Sequence, residues 1–152
     1  MPPTRPESLP TPLVKSRLLE APNVKDFLVK NKDQLGLPPL HEYITDLCLA
    51  LGLSRGEVIK RAGIDRTYGH QLFNSRRKPS RDKVIQLAFG LGLDEEGTQR
   101  LLQVARKSAL YVKDERDAAI LFCIQHQKSI DETQGLLEDI HATLLGGDDI
   151  NG

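Results

Sequence analysis

The polar residues between positions 65 and 75 are of the types that form hydrogen bonds with the edges of nucleic-acid bases. Arginine pairs with guanine, and glutamine or asparagine pairs with adenine. The candidate base contacts are Arg66, Thr67, His70, Gln71 and Asn74. At helical spacing, these side chains fall on one flank of a short helix. This flank is a candidate for reading bases, and an ordinary solvated helix face is the alternative.

A run of basic residues follows this flank directly. Cationic side chains and the amides at a helix start both bind phosphate groups. The candidate phosphate contacts are Arg55, Arg76, Arg77, Lys78, Ser80, Arg81 and Lys83. Ser80 is expected at the start of a helix, which couples the basic loop to a helix N-terminus.

The charges are unevenly distributed, although the net charge of the chain is zero. Residues 54–83 carry nine basic and three acidic side chains, whereas residues 84–152 carry six basic and twelve acidic ones. This asymmetry predicts that the middle of the chain meets a polyanion. The acidic last third either lies away from that ligand or masks the basic segment, and the sequence leaves both open.

Residue patterns typical of enzymes are missing from the sequence. The histidines have no metal-ligand spacing to one another or to the cysteines; they are His41, His70, His126 and His141. The two glycines around Leu91 lack the third glycine of a dinucleotide fingerprint, and the sequence has no Gly-Lys-Ser/Thr phosphate loop. We therefore expect no enzyme activity, no metal and no cofactor.

Length and composition predict one domain, or a small domain with a tail, in a chain of 152 residues. The longest apolar run covers residues 118–124 and is far shorter than the roughly 20 residues that span a bilayer. The N-terminal residues lack the apolar region of a signal peptide. Cys48 and Cys123 fit reduced thiols in a core. We expect a cytoplasmic protein without membrane contact.

The elements that must position the candidate contacts are predicted to be helices. Apolar residues recur at helical spacing from Leu40 onward, and no stretch alternates like a half-buried strand. The predicted helices cover residues 40–51, 54–61, 65–75, 80–91, 94–105, 114–126 and 129–145. Gly52 and Gly92 end two of them. The expected N-cap residues are Ser54, Asp65, Ser80 and Asp94. The predicted fold class is all-α.

The second and third of these helices are predicted to form a helix-turn-helix unit. A turn of three or four residues that contains glycine is typical of this unit, and Ala62-Gly63-Ile64 supplies it. Gly63 can adopt the positive φ angle that the turn requires. The residues expected to pack the two helices are Val58, Ile59, Ile64, Leu72 and Phe73. Tyr68 is also expected in helix packing rather than in base stacking.

The two ends of the chain differ from this middle part. Eight of the nine prolines lie within residues 1–39, which are predicted to be a Pro-rich N-terminal arm with one short helix from Pro22 to about Gln34. The first dozen residues are not expected to hold a helix, because proline lacks the amide donor. The predicted domains are this arm, a helix-turn-helix domain (40–107), a C-terminal helical extension (108–145) and a flexible tail (146–152).

The C-terminal extension is predicted to be a helical hairpin that closes over the five-helix domain. Residues 117–124 are apolar on nearly every side, which predicts burial all round. The chain can bury this helix against its own last helix or against a partner subunit. A homodimer through the C-terminal helices is therefore one expected assembly.

Three stretches together resemble the phage repressor and Cro-like (XRE-type) helix-turn-helix family. They are residues 53–68 (LSRGEVIKRAGIDRTY), 77–80 (RKPS) and 87–93 (LAFGLGL). The resemblance covers roughly residues 40–107. It implies a five-helix DNA-binding domain of a bacterial transcriptional regulator, whose third helix enters the major groove, often as a dimer on a palindromic operator.

The sequence departs from the family pattern in three ways. Arg55 stands where a glutamine that contacts phosphate is common, and arginine can do the same. Ile59 replaces a usual alanine where the two helices touch. Gly69 and Phe73 lie within the third helix, and Gly69 costs it about 1 kcal/mol relative to alanine. A less stable third helix is compatible with a helix that becomes ordered on binding DNA. It is equally compatible with a domain that no longer binds DNA.

Two functions follow from these observations. The first is a sequence-specific regulator that binds double-stranded DNA. The second is a protein-interaction module such as an adaptor, an antitoxin-like inhibitor or a kinase substrate. The acidic last third and a protein partner for the Pro-rich arm fit this alternative, and Thr4, Ser8 and Thr11 offer sites for modification.

Overall fold

The structure is a computed structural model that describes residues 9–146. No strand occurs in this range, which confirms the predicted all-α fold class. The helices are α1 (Thr11–Glu20), α2 (Val24–Lys30), α3 (Leu40–Leu51), α4 (Arg55–Arg61), α5 (Arg66–Phe73), α6 (Arg81–Leu91), α7 (Glu95–Val104), α8 (Glu115–Gln125) and α9 (Ile130–Asp139). None of these helices is long and apolar enough to cross a membrane. The chain divides into two compact units, Met1–Leu37 and Pro38–Gly152.

The first unit contains two α-helices where the sequence predicted one. α1 begins after Pro10, and Pro12 lies in its first turn, where the missing amide of proline removes no helical bond. The prediction that the first dozen residues exclude a helix is therefore wrong at its last two positions. α2 lies within the helix predicted for residues 22–34 and is followed by a 3-10 turn at Lys32–Gln34. The part of the predicted arm at residues 1–8 lies outside the described residues.

In the second unit, side-chain caps start α4 to α7 at the predicted residues. The Ser54 hydroxyl and the Asp65 carboxylate each accept a bond of 3.1 Å from the N–H three residues further on. Ser80 and Asp94 cap α6 and α7 in the same way. Such bonds satisfy amides that the start of a helix leaves without a partner. The glycines predicted to end α3 and α6 have φ angles of 68° and 67°.

Helices α3 to α7 enclose one apolar core. Residues of this core without exposed surface include Ile44, Val58, Leu87, Leu101 and Leu102. α4 and α6 come close at Gly90, where an added Cβ would meet the backbone carbonyl of Val58 and the Cβ of Ala62. Cys48 and Cys123 are free and buried, as the sequence predicted.

The C-terminal helices differ from the prediction in two ways. Phe122 is 50% exposed, so α8 is not buried all round. α9 ends at Asp139 instead of near Leu145, because His141 has a φ angle of 59° that turns the chain back. Leu145 then lies in the core, where the side-chain amide of Gln134 accepts from its N–H at 2.8 Å and donates to its carbonyl at 2.9 Å.

The first residue of the predicted flexible tail is bound to the domain. The Gly146 N–H donates to the carboxylate of buried Asp82 at 3.0 Å. Its φ angle of 85° lies in a region that glycine adopts without strain. The prediction of a free end is therefore wrong at this residue, and residues 147–152 lie outside the described residues.

The α8–α9 pair repeats the α6–α7 pair at an interval of 35 residues. We call residues 80–111 the first module and residues 115–146 the second module. The shared sequence pairs are Arg-Asp at 81–82 and 116–117, Thr-Gln at 98–99 and 133–134, and Leu-Leu at 101–102 and 136–137. In each module the threonine hydroxyl donates to the carbonyl of the preceding N-cap residue at 2.8 Å, and the glutamine amide holds both backbone groups of a buried leucine. The two modules therefore share one local fold.

Candidate nucleic-acid interface

The turn between α4 and α5 is fixed to the rest of the second unit. Gly63 has a φ angle of 68°, as predicted for the turn, and its neighbours Ala62 and Ile64 are buried. Buried Gln86 of α6 donates from Nε2 to the carbonyls of Ala62 at 3.2 Å and Gly63 at 3.4 Å. Because these bonds satisfy the turn carbonyls, they hold the helix pair in one orientation.

α4 and α5 contact each other through Ile59 and Gly69. A Cβ added at Gly69 would lie 2.5 to 2.9 Å from three side-chain carbons of Ile59, which is too close for carbon atoms in contact. The large isoleucine on α4 therefore requires a residue without a side chain on α5. Two departures from the family pattern compensate each other, and packing accounts for the glycine in α5. The five residues predicted to pack this pair are all buried: Val58, Ile59, Ile64, Leu72 and Phe73.

α5 carries the predicted base contacts on the flank opposite its buried residues. Arg66 and Thr67 are exposed in the first turn, and His70 and Gln71 are half-buried one turn later. Asn74 is the exposed C-cap residue, and its Oδ1 accepts from the N–H two residues further on at 3.2 Å. The structure thus brings all five onto one side of the helix.

Gln71 on this flank is bonded to Arg77 in the basic loop. The Arg77 Nε donates to Gln71 Oε1 at 2.7 Å, and the guanidinium lies 4.9 Å from the centroid of the Tyr68 ring. The Lys83 ammonium lies 5.3 Å from the same ring. Tyr68 therefore packs on the helix, as predicted, and also supports two cations. A candidate base contact and a candidate phosphate contact are coupled here.

The other candidate phosphate contacts lie around α5. The Arg55 guanidinium at the start of α4 lies 5.4 Å from the centroid of the buried Phe73 ring. Arg76 and Lys78 are exposed in the loop after α5. Ser80 uses its hydroxyl to cap α6 by accepting an amide at 3.2 Å. The phosphate contact expected at Ser80 is therefore assigned to the backbone amides at the start of α6 and not to the serine hydroxyl.

Arg81 is engaged inside the protein, and this corrects its assignment as a phosphate contact. Its Nη1 and Nη2 donate to the two carboxylate oxygens of Asp117 at 3.1 and 2.9 Å. Its Nε and Nη2 donate to the carbonyls of Ser108 at 3.0 Å and Ala109 at 2.9 Å. Because the guanidinium is committed to these acceptors, Arg81 joins the second module to the first.

A second ion pair mirrors the first. Arg116 donates to both carboxylate oxygens of Asp82 at 3.0 Å and to the carbonyls of Thr143 at 2.8 Å and Leu144 at 3.1 Å. Sequence reasoning missed both pairs. The signal that could have found them is the Arg-Asp dipeptide that recurs after 35 residues.

The carboxyl of Asp117 has a lowered pKa. Burial by itself raises the pKa of this group. Hydrogen bonds from Arg81 and from the Tyr111 N–H, with the charges of Arg81 and Arg116, outweigh burial and bring the pKa below its ordinary value. The pair is therefore ionised at neutral pH.

No group of side chains within residues 9–146 is arranged to hold a metal ion. Burial raises the pKa of the Cys48 thiol, and the nearby charge of Arg55 acts in the opposite direction. A buried thiol with a raised pKa remains protonated and is a packing group rather than a nucleophile.

Comparison with known protein families gives one match in this region. Residues 41–101 match a family model described as a helix-turn-helix domain. No curated protein and no solved structure gave a match to the chain. The matched range contains the whole of α4 and α5 with the turn between them. The part of the chain that carries the candidate interface is therefore similar to a helix-turn-helix domain.

Proposed function

We propose that the chain binds double-stranded DNA in a sequence-specific manner and regulates transcription, with α5 in the major groove. One observation carries this proposal. The exposed hydrogen-bonding flank of α5 lies directly beside a basic loop and is joined to it by the bond from Arg77 to Gln71. Side chains that read bases and side chains that bind phosphates then meet the duplex together.

Each candidate contact has a role on the duplex. The side chains that reach bases are Arg66, Thr67, His70 and Gln71, with Asn74 at the edge. The side chains that bind phosphates are Arg55, Arg76, Arg77, Lys78 and Lys83. The pairing of Arg81 and Asp82 with the second module leaves eight basic and two acidic side chains in residues 54–83. Because one charge of each sign is removed, the excess of basic side chains that attracts a polyanion is unchanged.

The first test is selection of bound sequences from random duplex DNA by the full chain. An enriched motif is expected at near-physiological salt. Weak binding that disappears with salt and enriches no sequence contradicts the proposal, because that behaviour needs only non-specific phosphate contacts.

Single substitutions then locate the interface. Arg66→Ala should weaken binding by about 1–3 kcal/mol and relax specificity at one base pair. Lys78→Ala should weaken binding to all sequences alike and lower the salt slope by about one. Lys107→Ala is the matched control, because Lys107 is exposed and outside the interface. If Arg66→Ala and Gln71→Ala leave affinity and motif unchanged, the placement of α5 is wrong.

A protein partner for the first unit is a second candidate function. This unit exposes an unusual share of its large apolar side chains, among them Leu19 at 75% and Val29 at 77%. Such a share of exposed apolar side chains fits a surface that a partner covers. Loss of a protein partner on removal of residues 1–39, with no DNA binding by either form, would favour this function over the first.

A further inference from the structure

The contacts between the two modules are reciprocal. Arg81 of the first module binds Asp117 of the second, and Arg116 of the second binds Asp82 of the first. The last backbone N–H of each module also donates to the aspartate of the other module, at 3.0 Å in both cases. Equivalent positions therefore make equivalent contacts in both directions.

Reciprocity of this kind defines a two-fold relation between the modules. In a stack of repeats, each repeat uses one surface toward the preceding repeat and a different surface toward the following one. In a two-fold interface, both partners use the same surface, so that position i meets position j and position j meets position i. The surface that the first module presents to the second is therefore equivalent to the surface that the second presents to the first.

The buried residues agree with this relation. Ile85 and its equivalent Ile120 have no exposed surface, and neither do Leu102 and its equivalent Leu137. All four belong to one core. Apolar residues of both modules thus share one core, and two equivalent ion pairs join the modules, a combination that also occurs in stable dimer interfaces.

The two-fold relation does not extend to the rest of the domain. α4 packs on α6 of the first module and α5 packs on α4, whereas no helix pair is placed in this way on the second module among residues 9–146. Phe122 shows the difference, because it is half exposed while its equivalent Leu87 is fully buried. One chain thus combines two modules with a single candidate recognition helix.

We infer that the second module occupies the place on the first module that a second copy of the chain would otherwise take, so that one chain binds DNA as a single copy. Its target is then one asymmetric site rather than a palindrome, which rests on the proposed DNA-binding function. This inference replaces the homodimer that the apolar run of α8 led us to expect.

The full chain tests this inference directly. Sedimentation velocity should give the monomer mass over a wide range of concentration. A gel shift with a mixture of the chain and a longer tagged form should give two complexes, whereas two copies per site would add a third of intermediate mobility. The selected motif should lack an inverted repeat. A dimer, an intermediate complex or a palindrome with fixed spacing would overturn the inference. If no motif is enriched, the proposed function fails while sedimentation still decides the assembly.

A variant tests whether the covered surface is self-complementary. Arg116→Glu places a second acid against Asp82 and should release the second module, while Arg81 and Asp82 of the first module remain unchanged. Two copies should then pair through their first modules, and the sedimenting mass should double as concentration rises. Lys113→Glu makes the same charge change at an exposed position and should stay monomeric. A folded Arg116→Glu chain that shows a released second module by hydrogen exchange yet stays monomeric would refute the self-complementary surface. If this variant does not fold, the wild-type mass and the mixed gel shift still decide.

Discussion

The first and second modules have the same internal contacts but differ in what packs on their outer faces. Both keep the arginine, aspartate, threonine and glutamine that bond within and between them. On the outer face, Gly90 admits the backbone of α4, whereas its equivalent Gln125 is exposed. The residues that the two modules share therefore make the contacts within and between the modules. The residues that differ lie on the outer face and depend on whether other helices pack there.

The largest expected loss of stability is at Leu87, and it should far exceed the loss at the equivalent Phe122. Leu87→Ala should cost about 3–4 kcal/mol of unfolding free energy, since Leu87 is fully buried and its truncation leaves a cavity in the core. Phe122→Ala should cost only about 1 kcal/mol, because its ring is already half in water. Urea unfolding of both variants with the wild-type chain gives the two values. Equal losses would mean that the outer face of α8 is covered in solution.

The two ion pairs should respond alike to loss of charge. Asp82→Asn and Asp117→Asn each keep the shape of the side chain and leave a largely buried arginine without its partner, at a cost of about 3 kcal/mol. The same unfolding measurement applies. Glu96→Gln is the control, because the exposed pair of Glu96 with Arg100 at 3.6 Å should contribute less than about 0.5 kcal/mol. Clearly unequal losses of stability would contradict the equivalence of the two ion pairs.

The Asp117 pair also predicts a pH dependence. The pKa of Asp117 is lower in the folded chain than its ordinary value, which is about 3.9 when unfolded. Its contribution is therefore complete above that pH and is lost as the pH falls through the lower folded value. The stability difference between the wild-type chain and Asp117→Asn should shrink as the pH falls from about 5 through the lower pKa of the folded chain. A difference that stays constant over this range would contradict the assignment.

Smaller effects are expected at the paired glutamines. Gln99→Ala removes both partners of the Leu110 backbone, and Gln134→Ala does the same for Leu145. Each change should cost about 1–2 kcal/mol, since two partly buried groups lose their bonds. Faster amide exchange at the affected leucine is the specific readout. Protection that survives the substitution would show that another group holds this segment.

The smallest effect is expected where the first helix of each module ends. The first module has Gly92 at this position with a φ angle of 67°, whereas the second has Gln127 with a φ angle of 53°. A residue with a Cβ is strained there by about 1 kcal/mol. Gln127→Gly should therefore raise the melting temperature, and Gly92→Gln should lower it. A loss of stability in Gln127→Gly would show that the glutamine side chain makes a compensating contact.

Local chemistry explains which elements could be predicted from the sequence. The bounds of α4 to α7 followed from capping residues such as Ser54 and Asp65, which act within one turn. The sequence does not predict α1 because a cluster of prolines is typical of segments without a helix, although Pro10 and Pro12 lie at its start, where proline is favourable. The assignment of Arg81 failed because its partner Asp117 lies 36 residues away. A pattern of neighbouring residues cannot predict a partner at that distance. The 35-residue repeat that relates the two ion pairs has few identical residues and is therefore hard to recognise.

The positions of the candidate site residues were less predictable than their types. The exposed flank of α5 follows from helical periodicity alone, and its base-reading role stays a prediction. The bond from Arg77 to Gln71 depends on how the loop returns toward α5. Ser75 has a φ angle of 67°, and the next N–H donates to the Gln71 carbonyl at 2.9 Å. A serine in this conformation is uncommon, so the sequence did not predict it.

The contact of Ile59 with Gly69 constrains how this interface can change by mutation. Ile59→Ala alone leaves a cavity between the helices, and Gly69→Ala alone drives a methyl group into the isoleucine. Each single step therefore passes through a less stable protein, whereas in the double variant with alanine at both positions the clash is absent and the added methyl group fills part of the cavity. A library of single substitutions would score both positions as intolerant and would miss this solution. The helix pair can therefore change from the Ile59–Gly69 contact to an alanine–alanine contact most readily when both substitutions are brought together in one gene.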